Sequence, residues 1–499
     1  MLPGRPRKAG MVGPRCQSQV AARDLPTGET VQASAFRDVV LCTKIVQSTA
    51  RAVEALGLAM RRHRMAIIAI QWVVVACYFT LLVVPALLPL PGEHAGILES
   101  MTRFAQFAFW GVWWPFVILV TMLLGRVWCG VFCPEGALTE WASRYGLGRR
   151  IPGWVKWGGW PFVAFVSTTL YGQLVSVYEY PKPAVLILGG STLAAVTIGF
   201  LYGRNKRVWC RYLCPVSGVF GLLAKLAPLH YRVDQSTWNA APPGRRTSRG
   251  HVVNCAPLID IRRMRTASPC HMCGRCAGER NAVRLSPRSP NAEILATPAG
   301  VHHREVMLLV FGLLGIALGA FQWSASPWLV TAKQLVGAWL IDHDWTWMLQ
   351  DNAAWWMLTN YPEKNEVFTW LDGALILAYI FATAITVATW CALCLYIGGA
   401  MAGVQAWRLA YALLPLAGLS TFLGLSALTA TLVRAQGVAL PWIGVARSGI
   451  LLLAVLWSAR LAAGIANGRT TPQKIIAVTA AVAASSIVVW LWVQMFYVW

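Results

Sequence analysis

Nine runs of this chain are apolar over about the 20 residues that an α-helix needs to cross a bilayer: 65–88, 104–124, 159–179, 184–203, 305–324, 371–393, 408–432, 442–465 and 475–497. Backbone amides surrounded by hydrocarbon must bond within their own segment, so such runs are expected as helices. Of 499 residues, 57% are hydrophobic and only 13% charged, with a mean hydropathy of +0.53. The expected fold class is an all-α polytopic membrane protein with about nine transmembrane helices.

Charge orients these helices. The formal net charge of +23 comes from 43 Lys and Arg against 20 Asp and Glu, and bases collect in cytoplasmic loops. Arg61, Arg62 and Arg64 precede the first run, which puts the N-terminus inside. Residues 204–304 carry seventeen Lys and Arg against four acids, whereas 326–368 carries two Lys against five acids. Alternation then leaves the C-terminus periplasmic. The bases are spread along the chain, which argues against a nucleic-acid partner and for membrane lipid. Four units are expected: a basic cytoplasmic tail over 1–64, a four-helix membrane unit over 65–223, a cytoplasmic loop over 224–304 and a five-helix membrane unit over 305–499. Within the tail, Val39 to Met60 is expected as an amphipathic helix along the membrane. Pro242 to Arg246 reads as a flexible link within the loop. The tryptophans of 326–370 suit an aromatic belt at the interface, and His343 there is a minor metal-ligand candidate.

Two near-copies carry the chemistry. Arg126 to Pro134 and Arg207 to Pro215 both read Arg-Val-Trp-Cys-x-x-x-Cys-Pro, 81 positions apart, and each follows an apolar run. Thiols four residues apart share one side of a helix end, and the proline ends the helix at the second thiol. Arg126, Arg207 and Arg211 supply positive charge that favours thiolates. A third group is Cys270, Cys273 and Cys276. Cys-x-x-Cys-x-x-Cys wraps three thiolates around an iron–sulfur cluster in ferredoxins, where Cys-Pro then follows; here Arg280 and Asn281 stand in those places. Cys255, fifteen positions before Cys270, is the expected replacement. Two sets of four result: Cys129, Cys133, Cys210, Cys214, and Cys255, Cys270, Cys273, Cys276. Crossed ligation between the sets is the alternative for ligand pairing. For the third group the alternative is structural zinc, which usually takes two separated pairs. Cys391 and Cys394 form a further pair, read as packing or as a possible extra metal or redox pair. Cys16, Cys42 and Cys77 are isolated.

At Gly125 to Trp141, Lys206 to Leu226 and Cys270 to Cys276 the chain resembles membrane polyferredoxins of the NapH/NosR/FixG type. That resemblance implies two [4Fe-4S] clusters on the cytoplasmic side of a bacterial inner membrane, in a multi-pass protein whose loop is a small irregular ferredoxin-like segment. It implies electron transfer between a quinone or a cytoplasmic donor and a respiratory or periplasmic redox protein. The alternative is an assembly or maturation factor for a metal-containing respiratory oxidase or reductase, motivated by Cys391 and Cys394. The chain departs from the family in lacking the fourth ferredoxin Cys-Pro, in showing no periplasmic flavin domain of the NosR branch, and in four C-terminal runs that match no part of it. No His lies within an apolar run, which argues against a bis-His haem, and there is no Gly-rich nucleotide loop. A transporter would want ionisable residues deep in its helices; Glu179, Arg447 and Arg460 lie near run ends.

Overall fold

The computed structural model describes residues 48–92, 95–240, 253–296 and 303–499. The link at Pro242 to Arg246, most of the basic tail, Cys16 and Cys42 lie outside these residues.

Sixteen elements matter for the site. Helix α1 covers 48–62, α2 Arg64–Leu87 and α3 Met101–Leu124, α4 Pro134–Arg144 and α5 Trp160–Leu174. Helix α6 covers Pro181–Tyr202, α7 Val208–Tyr212 and α8 Ser217–Leu226. Strands β1 (Leu229–Val233) and β2 (Val283–Pro287) pair antiparallel, with Tyr231 opposite Leu285. Then come α9 (His303–Ala325), α10 (Pro327–Asp342), α11 (Trp370–Ala402), α12 (Ala406–Ala435), α13 (Ile443–Ile465) and α14 (Thr471–Val498).

Among the described residues eight helices are long and apolar enough to cross a membrane, not nine. The exception is the run 159–179, which is helical only in α5, 15 residues long. At 1.5 Å per residue this is about 22 Å, short of the ~30 Å hydrocarbon core. The chain breaks just after it, at Ser176, whose φ is +50°. Even so, α5 connects the two ends of the bundle. Pro161 packs on Gly218 of α8, and the Leu174 carbonyl accepts the Thr359 N–H at 2.9 Å in the segment following α10.

Helix ends follow local chemistry. The Thr369 hydroxyl and the Asp372 carboxylate cap α11 reciprocally, and Thr470 with Gln473 does the same for α14. Small residues set the spacing of the second half. Gly315 and Gly319 of α9 lie against Ala384 and Ile380 of α11, where a Cβ on Gly315 would come within 2.8 Å of Ala384 Cα. Gly398 of α11 meets Ala480 of α14 in the same way. Close backbone approach through Gly and Ala is how helices associate where no water drives them together.

Of the helix expected along the membrane, Val39 to residue 47 lies outside the described residues; the rest, α1, packs on the cytoplasmic loop. Gly57 of α1 rests on Leu285 and Tyr231, and Met60 rests on Gly274. Arg61 Nη1 donates to the Ala277 carbonyl at 2.6 Å. Helix α1 therefore covers the β1–β2 pair and the third cysteine group.

Candidate metal centre

Gly125, with φ +70°, ends α3 and reverses the chain. Residues 126–133 then run back between the helices. The Trp128 ring lies 5.1 Å from that of Trp113 in mid-α3, and Gln71 Nε2 of α2 donates to the Gly130 carbonyl at 2.9 Å. Cys133 is extended (φ −68°, ψ 117°), and Pro134 starts α4. The Glu135 carboxylate accepts from Ser191 Oγ at 2.6 Å and Trp209 Nε1 at 3.0 Å. Ser191 lies eleven residues before Tyr202, the last residue of α6, or about 16 Å along the helix. The first copy is thus recessed within the bundle; the expectation from the sequence put both copies at the helix ends.

The four thiols of the two copies share one field. Burial pushes the Cys133 thiol up, and Cys210 and Cys129 push it further. The Cys210 thiol is pushed up to about 12, by burial first, with Arg207 opposing and Cys129 and Glu135 adding. The Cys214 thiol is raised by burial, then by Glu135, Cys210, Cys133 and Cys129. Thiols that resist ionisation beside one another, as Cys133, Cys210 and Cys214 do, are stabilised as thiolates only by a cation.

The second set lines one small cavity, Cys255, Cys270, Cys273 and Cys276 meeting there with Tyr231 and Met264. Left-handed turns at Met272 (φ +53°) and Gly274 (φ +74°) wrap the loop around it. The Met272 N–H donates to Cys270 Sγ at 3.4 Å. Burial pushes the Cys270 thiol up to about 12, with Cys273 and Cys255 adding to it. Cys255, expected only by elimination from the sequence, lies at this cavity with the other three.

The two sets touch. A Cβ on Gly130, between Cys129 and Cys133, would lie 2.0 Å from the His271 carbonyl and 3.0 Å from the Cys273 amide nitrogen. Two arginines lock this contact, each serving the other copy. Arg126 donates to the Ser268 carbonyl and to Ser217 Oγ, both at 3.0 Å, and Ser217 Oγ donates to the Cys210 carbonyl at 2.8 Å. Arg207, 1% exposed, donates Nε to Glu140 at 2.9 Å and Nη1 to the Cys129 carbonyl. Its own N–H donates to the Ala256 carbonyl at 2.8 Å. Glu140 also pairs with Arg275 at 2.7 Å, so one carboxylate joins the second copy to the third cysteine group. Burial alone would raise Glu140, but Arg207 and Arg275 overcome it and hold the carboxyl below its usual range. Arg211, grouped with the other two arginines from the sequence, is exposed.

The chemistry of these residues fits iron–sulfur ligation. Arg126 Nε, Arg207 Nη2 and His271 Nδ1 are buried without a protein partner, and such groups normally find one. Thiolate and sulfide are acceptors that match the two guanidinium donors. Zinc in a tetrahedron at ~2.3 Å holds its sulfurs about 3.8 Å apart. Among the described residues no group of three His, Cys, Asp or Glu side chains is drawn together as around a bound metal ion. All eleven described cysteines are free thiols.

Other candidates stand apart from this centre. Cys391, fully buried in the α11–α14 seam, donates Sγ to the Ala484 carbonyl at 3.4 Å, and Cys394 follows one turn later. Cys77 is exposed on α2. His343 Nδ1 bonds the Trp339 carbonyl at 2.8 Å, with its ring stacked on that indole. Glu140 and Ser217 were missed in the sequence, although Glu140 is one of only 20 acids in the chain.

Residues 106–154 and 186–233 match a family model described as a 4Fe-4S binding domain, which covers both Cys-x-x-x-Cys-Pro copies and stops short of Cys255. The chain is similar to the putative electron transport protein YccM of Escherichia coli, 22% identical over 266 residues, 47% of this chain and 69% of that protein. Protein RdxA of Cereibacter sphaeroides is 27% identical over 202 residues, 32% of this chain and 41% of RdxA. The methylamine utilization ferredoxin-type protein MauN of Methylorubrum extorquens is 28% identical over 128 residues, 22% of this chain and 42% of MauN. The chain thus spans less than half the length of the last two. No solved structure matches.

Proposed function

We propose that this chain, a membrane 4Fe-4S polyferredoxin-like protein, holds two clusters and passes electrons singly between a quinone or cytoplasmic donor and a respiratory redox partner. Cys129, Cys133, Cys210 and Cys214 ligate one cluster, and Cys255, Cys270, Cys273 and Cys276 the other. The observation that carries this reading is the contact at Gly130, which sets the backbone of one cysteine group directly on the other. When bound, each cluster takes up or gives one electron, at a potential tuned by charge, burial and hydrogen bonds to sulfur. The chain supplies that tuning. Arg126, Arg207 and Arg275 offset thiolate charge, Glu140 fixes two of them, and backbone N–H groups reach Cys133 and Cys270. The N-terminus and the thiol-bearing ends of the helices are cytoplasmic in a bacterial inner membrane, as the basic loops indicate.

Separating the two sets tests the reading. In the Cys210→Ser and Cys273→Ser proteins, anaerobically purified, iron should fall from about eight to about four per chain. Each should keep a different reduced EPR signal. Loss of all iron from both variants, or of none from either, contradicts the two-set assignment.

A further inference from the structure

Three stretches far apart in sequence close around one pocket of about 430 Å³. Leu88 and Leu90 come from just beyond α2 and Lys182 from the start of α6. Tyr361, Glu363 and Lys364 come from a short hairpin of strands β3 (Asn360–Tyr361) and β4 (Glu366–Val367). Gln71, which bonds the first cysteine copy, lies sixteen residues before Leu87, the last of α2. The pocket is therefore about 24 Å along α2 from that copy, at the far edge of the spanning helices. It is also a joint between the two halves of the bundle. The Tyr180 ring stacks on that of Tyr361 with centroids 3.6 Å apart, and the Tyr180 hydroxyl donates to Glu366 at 2.6 Å. Lys364 Nζ donates to the Pro91 carbonyl.

The charges in this pocket do not pair with one another. Lys182 and Glu363 are exposed, and neither side chain has an ion-pair or hydrogen-bond partner among the described residues. Lys364 has one bond, which leaves two of its three N–H donors. Tyr361 is 4% exposed, and its hydroxyl is buried without a partner. Burial, then Glu363 and Glu366, push that hydroxyl up to about 12, so it keeps its proton near neutrality. Buried hydroxyls normally find a partner. Two cations, one carboxylate and one orphaned hydroxyl thus share a pocket whose remaining wall is apolar.

We propose that this pocket binds the headgroup of phosphatidylethanolamine, whose phosphate accepts from Lys182 and Lys364 and whose ammonium donates to Glu363. A zwitterion answers both signs of charge at once. Phosphatidylglycerol offers a phosphate but leaves Glu363 beside an anion, and phosphatidylcholine carries a methylated nitrogen with no N–H to donate. The place favours a lipid over a dissolved zwitterion. Leu87 ends one spanning helix and Pro181 begins another, and phosphates lie at that level of a bilayer. Val83, Val84 and Leu87, exposed on the last turns of α2, offer a surface to the acyl chains. The bound lipid fastens α2 and α6 to the hairpin before α11, and the site stands whatever the thiols hold.

The test is native mass spectrometry of the full chain, released from nanodiscs of equal phosphatidylethanolamine, phosphatidylglycerol and phosphatidylcholine. One phosphatidylethanolamine should remain bound, favoured about tenfold over either other lipid, the worth of one hydrogen bond to a charged group. Glu363→Gln should remove that preference, and Lys182→Gln should lower retention of all three lipids. Both residues are exposed, so neither change threatens the fold. Equal retention of the three lipids by the unmodified chain overturns the site, as does an unchanged preference in Glu363→Gln. Free phosphoethanolamine bound as tightly as the lipid overturns the bilayer as its source.

Discussion

The two copies of Arg-Val-Trp-Cys-x-x-x-Cys-Pro are almost the same in sequence, yet they are held in different ways. The first is wound as a wide π turn over Trp128–Phe132 and is recessed among α2, α3 and α6. The second is an ordinary α turn, Val208–Tyr212. The position after the first thiol separates them. Gly130 lies under the third cysteine group, where no side chain fits, and Arg211 at the equivalent place is exposed. Their arginines are exchanged as well: Arg126 holds the second copy through Ser217, and Arg207 holds the first through Glu140 and the Cys129 carbonyl. The motif fixes thiol spacing, whereas burial and partners decide which copy faces which group. The exchange also makes each copy incomplete without the other.

Substitutions rank this asymmetry. Glu140→Ala should cost most, about 3–5 kcal/mol, because it strands the buried Arg207 together with Arg275. The midpoint of thermal loss of visible cluster absorbance measures it. Because the Glu140 carboxyl is held below its usual range, its stabilising share is full above about pH 4.3. That share disappears as pH falls through the lower folded value. The gap between Glu140→Ala and the unmodified chain should therefore be constant near neutrality and narrow in acid. Arg126→Gln gives up hydrogen bonds to a carbonyl and a hydroxyl but strands no carboxylate. About 1–3 kcal/mol is expected in the same melt, and a loss equal to that of Glu140→Ala would erase the asymmetry.

Gly130→Ala must push the His271 carbonyl away. It should cost about 1–3 kcal/mol and weaken the magnetic interaction between the two reduced clusters seen by EPR. Arg211→Ala at the equivalent position of the second copy should stay within about 0.5 kcal/mol, as exposed positions usually do. If these two substitutions behave alike, the contact at Gly130 is not the junction of the two sets.

Much of this was readable from residue order because ligand spacing and apolar length are local properties. Cys129, Cys133, Cys210 and Cys214 announce themselves by repetition, and eight helices by their length. The rest depends on distant partners. The β1–β2 pair joins residues fifty or more positions apart, so 224–304 reads as irregular from the sequence. Run 159–179 looks long enough by composition, but the break at Ser176 is a matter of backbone conformation. The recess of the first copy follows from Gly125, whose positive φ no hydropathy profile records. Glu140 reads as one more helical surface acid until Arg207 and Arg275 are brought to it. Helix α1 has an apolar side that suits a membrane, yet Gly57 and Met60 use it to cover Tyr231 and Gly274.

The central claim is that eight thiolates in two touching sets hold iron and sulfide. Iron, acid-labile sulfide and zinc counted per chain after anaerobic purification, with EPR of the same reduced sample, test it most directly. The account predicts about eight iron and about eight sulfide, with a spectrum broadened by two neighbouring reduced clusters. Zinc bound in place of iron, with no EPR signal on reduction, would contradict it.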